Sequence, residues 1–232
     1  MHRRLESFLA AGPLLTDGAW GTQLQQRGLA MGECPDAWNL THPEKVQEVA
    51  AAYVAAGSDI ILTNTFGANR VRLAEFGLTD NVVEINRQGA AISKRAAGTS
   101  AKVFASIGPS GKLLLMGDVT EDELTEAFAV QAAALRDGGA DALVIETMTD
   151  LAEAKLALAA AQTTGLPVVL CLVFDMGGHT MMGVSPAQAA RELTDLGADV
   201  IGANCGNGIE QYVGICEQLH AATHRPIWIK AN

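Results

Sequence analysis

The sequence predicts an α/β fold of the TIM, or (β/α)8, barrel type, and three observations support this prediction. Seven short apolar runs alternate with segments that have the periodicity of helices. A similar helix-to-strand phrase ends in Asp59, Asp141 and Asp199, so one βα unit recurs along the chain. Polar residues stand at the carboxyl ends of many of the predicted strands. A barrel brings such ends together at one site, whereas an open sheet gathers ligands mainly at its switch point, so the barrel is favoured.

Each predicted element depends on local signals in the sequence. The predicted strands, which are short apolar runs, cover residues 14–17, 59–63, 102–107, 142–146, 167–174, 200–204 and 226–230. The predicted helices, which are rich in Ala, Leu, Glu and Gln, cover residues 43–56, 81–97, 121–138, 150–164, 185–196 and 209–223. Thr120 precedes three acidic residues and Ser185 precedes a proline, so both are predicted to be N-caps.

Composition and charge exclude several classes of function. The 232 residues are 49% hydrophobic, which is enough for one sizeable core, and we predict a single domain over residues 1–232. The formal net charge of -10 opposes binding to a phosphate backbone, so nucleic acid is not an expected partner. No window has the length and apolarity of a membrane span, so we predict a cytoplasmic protein with no membrane partner. The 4 cysteines are scattered, which predicts reduced thiols rather than a disulfide framework.

The C-terminal end of the predicted barrel is unusual. A complete barrel of this type has eight strands, and the apolar pattern accounts for seven, the last of which reaches Lys230. We therefore expect a domain that is C-terminally incomplete and lacks the eighth strand and last helices. An unpaired strand edge tends to pair with another chain, so we expect homo-oligomers formed through exposed edges.

A glycine-containing turn follows the first predicted strand. It consists of Asp17, Gly18, Ala19 and Trp20, and its glycine leaves backbone N–H groups available to an anion such as a carboxylate. The alternative is an ordinary turn at the end of a strand. A phosphate-binding loop is excluded, because the chain contains no GxxxxGK(S/T) motif.

Glu146 ends the apolar run 142–146, where an ionised carboxylate is unfavourable unless it has a partner. The ammonium group of a substrate would be such a partner. The alternative is a structural ion pair, for which Lys230 and Lys112 are the candidates. Both interpretations stay open from the residues alone.

Cys205 lies at a predicted strand end within a glycine-rich segment that exposes it. An isolated cysteine is usually a small core residue, and one thiolate does not make a zinc site, which needs about three protein ligands for catalysis. Its position at the carboxyl face makes a nucleophile or a metal ligand an alternative to packing. Cys34, Cys171 and Cys216 are predicted to be structural. His179 lies in a loop and is predicted to be solvated.

Six segments in order carry a resemblance to a known family. They are DGAWGTQLQQRGL, WNLTHPE, DIILTNTFGANR, SIGPSGK, GGADALVIETMTDLAEAK and GANCGNG. Together they resemble the homocysteine S-methyltransferase family, including the homocysteine-binding module of cobalamin-dependent methionine synthase. The resemblance extends from about Leu14 to Asn232. It implies a (β/α)8 barrel that transfers an activated methyl group to the thiol of homocysteine and gives methionine.

The resemblance also implies roles for single residues. The amino group of homocysteine is expected near Asp17 and Glu146. Its carboxylate is expected near the backbone of Gly18, Ala19 and Trp20 and near Ser106. Thr65 and Asn204 are expected to line the pocket.

A zinc ion that binds the substrate sulfur is implied by the same resemblance. Zinc converts a thiol, which is mostly protonated at neutral pH, into a thiolate. Cys205 corresponds to the first of three cysteine ligands, and the segment that would carry the adjacent pair of cysteines is missing from this sequence. The methyl donor is expected to be an onium compound or a corrinoid, the latter carried by another domain or protein.

Three hypotheses follow from these observations. The first is a homocysteine methyltransferase barrel that retains its substrate pocket and lacks two metal ligands. The second is a binding or regulatory module that holds an amino acid without a metal. The third is a half-site enzyme in which another chain supplies the final strand and its cysteines.

Overall fold

A computed structural model describes residues 2–10, 12–175 and 177–232. Its six strands form one parallel sheet in the order in which they occur along the chain. They are β1 (Ile60–Ile61), β2 (Lys102–Ile107), β3 (Ala142–Met148), β4 (Val168–Leu172), β5 (Val200–Cys205) and β6 (Ile227–Ala231). The helices are α1 (Arg3–Leu9), α2 (Trp20–Gln26), α3 (Trp38–Thr41), α4 (Pro43–Ala55), α5 (Arg70–Ala74), α6 (Val82–Ala97), α7 (Glu121–Asp137), α8 (Leu151–Gln162), α9 (Pro186–Asp195) and α10 (Tyr212–Ala222).

The sheet curls into a partial barrel. Three strands separate β2 from β6, which in a flat sheet would place them about 19 Å apart, at about 4.8 Å for each spacing. The rings of Phe104 on β2 and Trp228 on β6 nevertheless stack with their centroids 6.0 Å apart. Side chains from all six strands therefore approach one another on the inner face, whereas a second apolar layer lies between the sheet and helices α7 to α10.

The first predicted strand differs from the prediction. Residues 14–17 form an isolated parallel bridge, between Thr16 and Ile60, instead of a strand. Asp17 N donates to Ile60 O at 2.9 Å, and Ile60 N donates to Leu15 O at 3.1 Å. The prediction of seven strands is therefore wrong for the described residues, because the chain turns away directly after Asp17. The expectation that an eighth strand is missing stays a prediction.

The six predicted helices are confirmed to within a few residues, and their capping residues explain where two of them start. Thr120 and Glu123 form a capping box at the start of α7. Ser185 accepts a hydrogen bond from Gln188 N, and Pro186 occupies the first turn of α9. Helices α1, α2, α3 and α5 were not predicted, because they span 4 to 7 residues and have too few turns to show a period.

The recurring aspartates have a common structural role. Each accepts a hydrogen bond from a backbone N–H of the neighbouring strand or bridge segment: Leu15 N to Asp59, Val103 N to Asp141, and Val168 N to Asp199, at 2.8, 2.8 and 3.1 Å. The glycine two residues earlier has a positive φ of 93°, 95° and 87°, respectively, which ends the preceding helix. The repeated phrase thus joins neighbouring strands at their amino ends.

Helix α1 closes the amino end of the curled sheet. His2 N donates to Asp199 Oδ1 at 2.8 Å, and the rings of Phe8 and Phe104 lie 6.3 Å apart. Leu5 is buried among the inner side chains of the strands. The inner face is thereby filled at its amino end, which leaves the carboxyl end open. None of the helices in the described ranges is long and apolar enough to cross a membrane.

Candidate functional site

A cavity of about 630 Å³ opens at the carboxyl ends of the strands. It brings together residues that are far apart in the sequence. Among its lining residues are Asp17, Gly18, Ala19, Trp20, Ser106, Glu146, Thr147, Asn204, Cys205 and Lys230. Apart from Thr65, every residue that the sequence analysis assigned to the site therefore lies at this cavity.

Asp17 is held by three donors from different parts of the chain. Its Oδ2 accepts hydrogen bonds from Trp20 Nε1 at 2.7 Å and from Leu62 N at 2.6 Å. Its Oδ1 forms an ion pair with Lys230 Nζ at 2.8 Å. Asp17 is 4% exposed. Its charge is therefore already compensated by the protein.

Lys230 projects from β6, where it stands opposite Asn204 in the register with β5. The exposed fraction of its side chain is 18%. Burial disfavours its ammonium form, but the charges of Asp17 and Glu146 outweigh this effect and raise the pKa of Lys230. Lys230 is thus a partly buried cation whose charge two carboxylates stabilise, whereas the sequence analysis considered it only as a partner of Glu146.

Glu146 retains more unused hydrogen-bonding capacity than Asp17. Its Oε1 accepts a hydrogen bond from Ser106 Oγ at 2.5 Å, and its Oε2 lies 3.5 Å from Asn204 Nδ2. Burial raises the pKa of Glu146, and the opposing effects of Lys230 and Ser106 do not cancel it. The proposed ion pair with Lys112 is wrong, because Lys112 Nζ pairs with Glu75 at 3.0 Å.

The backbone of the turn after Asp17 also faces the cavity. Gly18 and Ala19 line it, and their backbone N–H groups have no acceptor among residues 2–10, 12–175 and 177–232. Tyr53 Oη donates to Ala19 O at 2.9 Å. A Cβ on residue 18 would come within 2.9 Å of this hydroxyl, which explains the glycine.

Cys205 and Thr147 occupy strained backbone conformations at the cavity wall. Their φ values are 63° and 62°, in the left-handed region that side chains with a Cβ rarely adopt. Asn204 holds the pair together. Its Oδ1 accepts from Thr147 N at 2.7 Å, and its Nδ2 lies 2.7 Å from Thr147 Oγ1 and 3.3 Å from Cys205 Sγ. Tyr212 Oη donates to Cys205 O at 2.8 Å.

Thr65 lies behind the cavity wall. It is fully buried, its hydroxyl donates to Ser106 O at 2.7 Å, and it lies 2.5 Å from the hydroxyl of Thr63. Thr63 Oγ1 in turn accepts from Ser106 N at 3.0 Å. Thr65 therefore supports Ser106 from behind, since its only polar side-chain atom points to this backbone.

The cavity is also lined by residues that the sequence analysis did not identify. They are Pro35, Asp36, Phe66, Gly67, Arg72 and Phe76. Burial raises the pKa of Asp36 to about 6, although the carboxylate accepts a hydrogen bond from Gly67 N at 3.1 Å. Asp36 and Arg72 stand in short loops or helices without a periodic pattern, so only the tertiary structure places them at the cavity.

The described residues do not provide a complete metal site. No group of three His, Cys, Asp or Glu side chains within them has an arrangement that could hold a metal ion. Cys205 is the cysteine among them that lines the cavity, whereas Cys34 and Cys171 are buried. His179 is exposed and contacts Gly177 O at 3.3 Å. The ligand types around Cys205 therefore do not fit a zinc ion on their own.

Comparison with known proteins identifies the family. The family model described as homocysteine S-methyltransferase matches residues 14–232. This chain belongs to that family. The match includes all six strands and the bridge segment, so family membership applies to the whole cavity.

Two curated relatives are methionine synthases. Those of Mycobacterium leprae (strain TN) and Mycobacterium tuberculosis (strain ATCC 25618 / H37Rv) are each 30% identical to this chain, over 97% and 98% of its length. The matched regions are 20% and 21% of these relatives. The chain thus spans about a fifth of the length of the relatives it matches.

Solved structures support the barrel-type fold. The metallated form of the homocysteine methyltransferase MmuM from Escherichia coli superposes with a TM-score of 0.86 at 21% identity, over 99% of this chain and 87% of that one. The apo form of MmuM gives a TM-score of 0.79 at 19% identity, over 99% and 86% of the two chains. At these identities, the likeness concerns the fold.

Proposed function

We propose that this chain is the homocysteine-binding part of a methyltransferase that forms methionine. The observation that carries the proposal is the buried carboxylate of Glu146, which faces a cavity at the strand ends with one oxygen lacking a close donor. Family membership supports homocysteine as the ligand.

The ammonium group of the ligand would bind at Glu146. A buried carboxylate is destabilised by loss of hydration, and a ligand cation removes this penalty. Asp17 is a weaker candidate than the resemblance implies, because Lys230 already compensates its charge. Glu146 therefore attracts the cation, and Asp17, which also lines the cavity, adds to the negative field.

The sulfur of homocysteine would lie toward Cys205, on the other side of Asn204. In the transfer, the bond between sulfur and the methyl carbon forms, the bond between that carbon and its donor breaks, and the thiol proton leaves. The methyl donor would be an onium compound or a corrinoid. The methionine synthase relatives support a corrinoid-carrying domain as the partner. Zinc would activate the sulfur if bound, but the residues that the structure describes do not complete a site for it.

A second candidate is a half-site that another segment or chain completes. The specific observation is that β6 pairs on one side with β5, while no strand in the described ranges pairs with its other edge. An added strand there would supply further residues to the cavity, because Lys230, Ala231 and Asn232 already line it. The remaining hypothesis, an amino-acid-binding module without a metal, would also bind the ammonium group of its ligand through Glu146.

Calorimetric titration of the purified chain tests the proposal. L-Homocysteine should bind, whereas N-acetyl-L-homocysteine, which lacks the ammonium charge, should bind about tenfold to a hundredfold more weakly. Equal affinity for both compounds would show that no carboxylate in the cavity recognises the ammonium group. Addition of a strand-donating partner chain, followed by a methyl-transfer assay, distinguishes the half-site from the binding module.

A further inference from the structure

The cavity is lined by two cations, Lys230 and Arg72, that act on different carboxylates. The positive charge of Arg72 acts on Asp36. Lys230 pairs with Asp17, and its charge also interacts with that of Glu146. An amino acid has its ammonium and carboxylate groups on the same carbon, so an ammonium at Glu146 places the carboxylate near Lys230 rather than near Arg72.

Lys230 has hydrogen-bond donors to spare. Its ammonium group has three N–H donors, and Asp17 is its one hydrogen-bond partner among the residues that the structure describes. A partly buried ammonium with unused donors favours an additional acceptor. The unpaired N–H groups of Gly18 and Ala19 follow directly after Asp17 in the chain, so they approach the same place.

Ser106 is a poor donor for a ligand carboxylate. Its single O–H group donates to Glu146 Oε1 at 2.5 Å, so only acceptor capacity is left on its oxygen. The carboxylate role that the resemblance implies for Ser106 therefore needs another donor nearby. Lys230 is the cavity-lining cation whose charge acts on Glu146, and it has such donors.

We infer that Lys230 is a specificity-determining residue that binds the α-carboxylate of the amino-acid ligand, with the Gly18 and Ala19 N–H groups beside it. This inference depends on the proposed function, in that the ligand is homocysteine. The charges support it: Asp17 and Glu146 give two negative charges against one positive charge on Lys230. A zwitterion adds its cation at Glu146 and its anion at Lys230, so each new charge meets an opposite one.

A pair of ligands and two variants test the inference. Homocysteamine is homocysteine without its carboxylate, and the ratio of the two affinities, measured by calorimetry, reports recognition of that group. The unsubstituted chain should prefer homocysteine. In Lys230→Gln, which keeps a donor for Asp17 but removes the charge, this preference should fall by about tenfold to a hundredfold. In Lys230→Arg, which keeps the charge, most of the preference for homocysteine should remain.

Lys112→Gln is the matched control, because Lys112 forms its ion pair with Glu75 outside the cavity and should not change the preference. Circular dichroism checks that each variant is folded. If the preference for homocysteine falls less than about threefold in Lys230→Gln, the inference is wrong and the proposed function still stands. The same conclusion follows if Arg72→Gln loses the preference and Lys230→Gln keeps it. If the unsubstituted chain does not bind homocysteine, the proposed function is wrong and the inference is wrong with it.

Discussion

Cys205 Sγ lies 3.5 Å from Thr147 Oγ1, and both residues have a left-handed backbone conformation. Such conformations are unfavourable by about 1–3 kcal/mol each for residues with a side chain, and they persist only where neighbours enforce them. Here Asn204 bonds to both residues, and Tyr212 bonds to the Cys205 carbonyl. The cavity wall is therefore held in place by side chains of β5 and α10.

Asn204→Ala should destabilise the fold. The substitution removes the acceptor of Thr147 N and leaves a strained backbone without support. We expect the free energy of unfolding in urea to fall by about 1–3 kcal/mol. Asn232→Ala is the control, because Asn232 is exposed and its hydrogen bond to Gly206 O is long, at 3.3 Å. Similar losses in both variants would contradict a special role for Asn204.

Gly202→Ala should disrupt the pairing of β5 with β6. A Cβ on residue 202 would overlap the carbonyl oxygen and the Cβ of Trp228, which the backbone of the neighbouring strand holds in place. We expect a loss of about 3 kcal/mol or more in the free energy of unfolding. Gly214→Ala on α10, where a new Cβ meets nothing within 4 Å, should instead stabilise the protein. The gain should be about 0.5–1 kcal/mol. A Gly202→Ala protein that is as stable as the unsubstituted chain would show that the sheet relaxes around Trp228.

Asp36 makes the stability depend on pH. Burial raises its pKa from 3.8 to about 6 in the folded chain. The unfolded state therefore loses this proton first, and stability falls as pH rises from about 4 to about 6, then stays level. Asp36→Asn should remove this decrease, which amounts to about 3 kcal/mol. Urea unfolding at pH 4.5 and 7.5 should show about 2 kcal/mol of it, because the rest of the decrease occurs below pH 4.5. Glu75→Gln is the control. Hydrogen bonding to Lys112 lowers the pKa of Glu75, so the contribution of Glu75 to stability should rise with pH, opposite to that of Asp36.

Glu146→Gln should weaken homocysteine binding by about tenfold to a hundredfold, since a charged hydrogen bond contributes about 1.5–3 kcal/mol. Burial raises the pKa of Glu146, so affinity in the unsubstituted chain should fall as the pH falls through that raised value. The variant should lose this dependence. Glu153→Gln is a matched buried control, since Glu153 accepts a hydrogen bond from Ser110 N, does not line the cavity and should leave the affinity unchanged. Equal affinity in both variants would return Glu146 to a structural role.

The metal prediction concerns Cys205. We expect the purified chain to bind zinc weakly, because Cys205 is the one residue that corresponds to the expected ligands, and a zinc site needs about three from the protein. Elemental analysis measures the zinc content, with Cys216→Ser as the control for a cysteine on α10. Near-stoichiometric zinc that disappears in Cys205→Ser would show that the site is complete.

Local signals accounted for much of the fold. Helices α7 and α9 begin where the sequence predicts, because the capping hydrogen bonds of Thr120 and Ser185 involve residues three positions away. The recurring aspartates predicted the βα repeat, although not the strand-to-strand hydrogen bonds that explain it. The bridge at residues 14–17 was predicted as a strand, since an apolar run does not show how many partners its backbone will find.

The sequence by itself determined the barrel-type fold and predicted most of the polar residues that line the cavity at the carboxyl ends of the strands, because strand ends and their polar residues are local properties. Only the tertiary structure decided which charged groups pair with one another. The pairing of Lys230 with Asp17 joins residues 213 positions apart, and it leaves Glu146 as the carboxylate with unused capacity. Thr65 was expected to line the pocket but lies behind the cavity wall, where its hydroxyl donates to Ser106 O. The tertiary structure decides this too, because the curl of the sheet sets which residues after a strand face the cavity. Burial and charge pairing depend on these distances in space, which no spacing along the chain specifies.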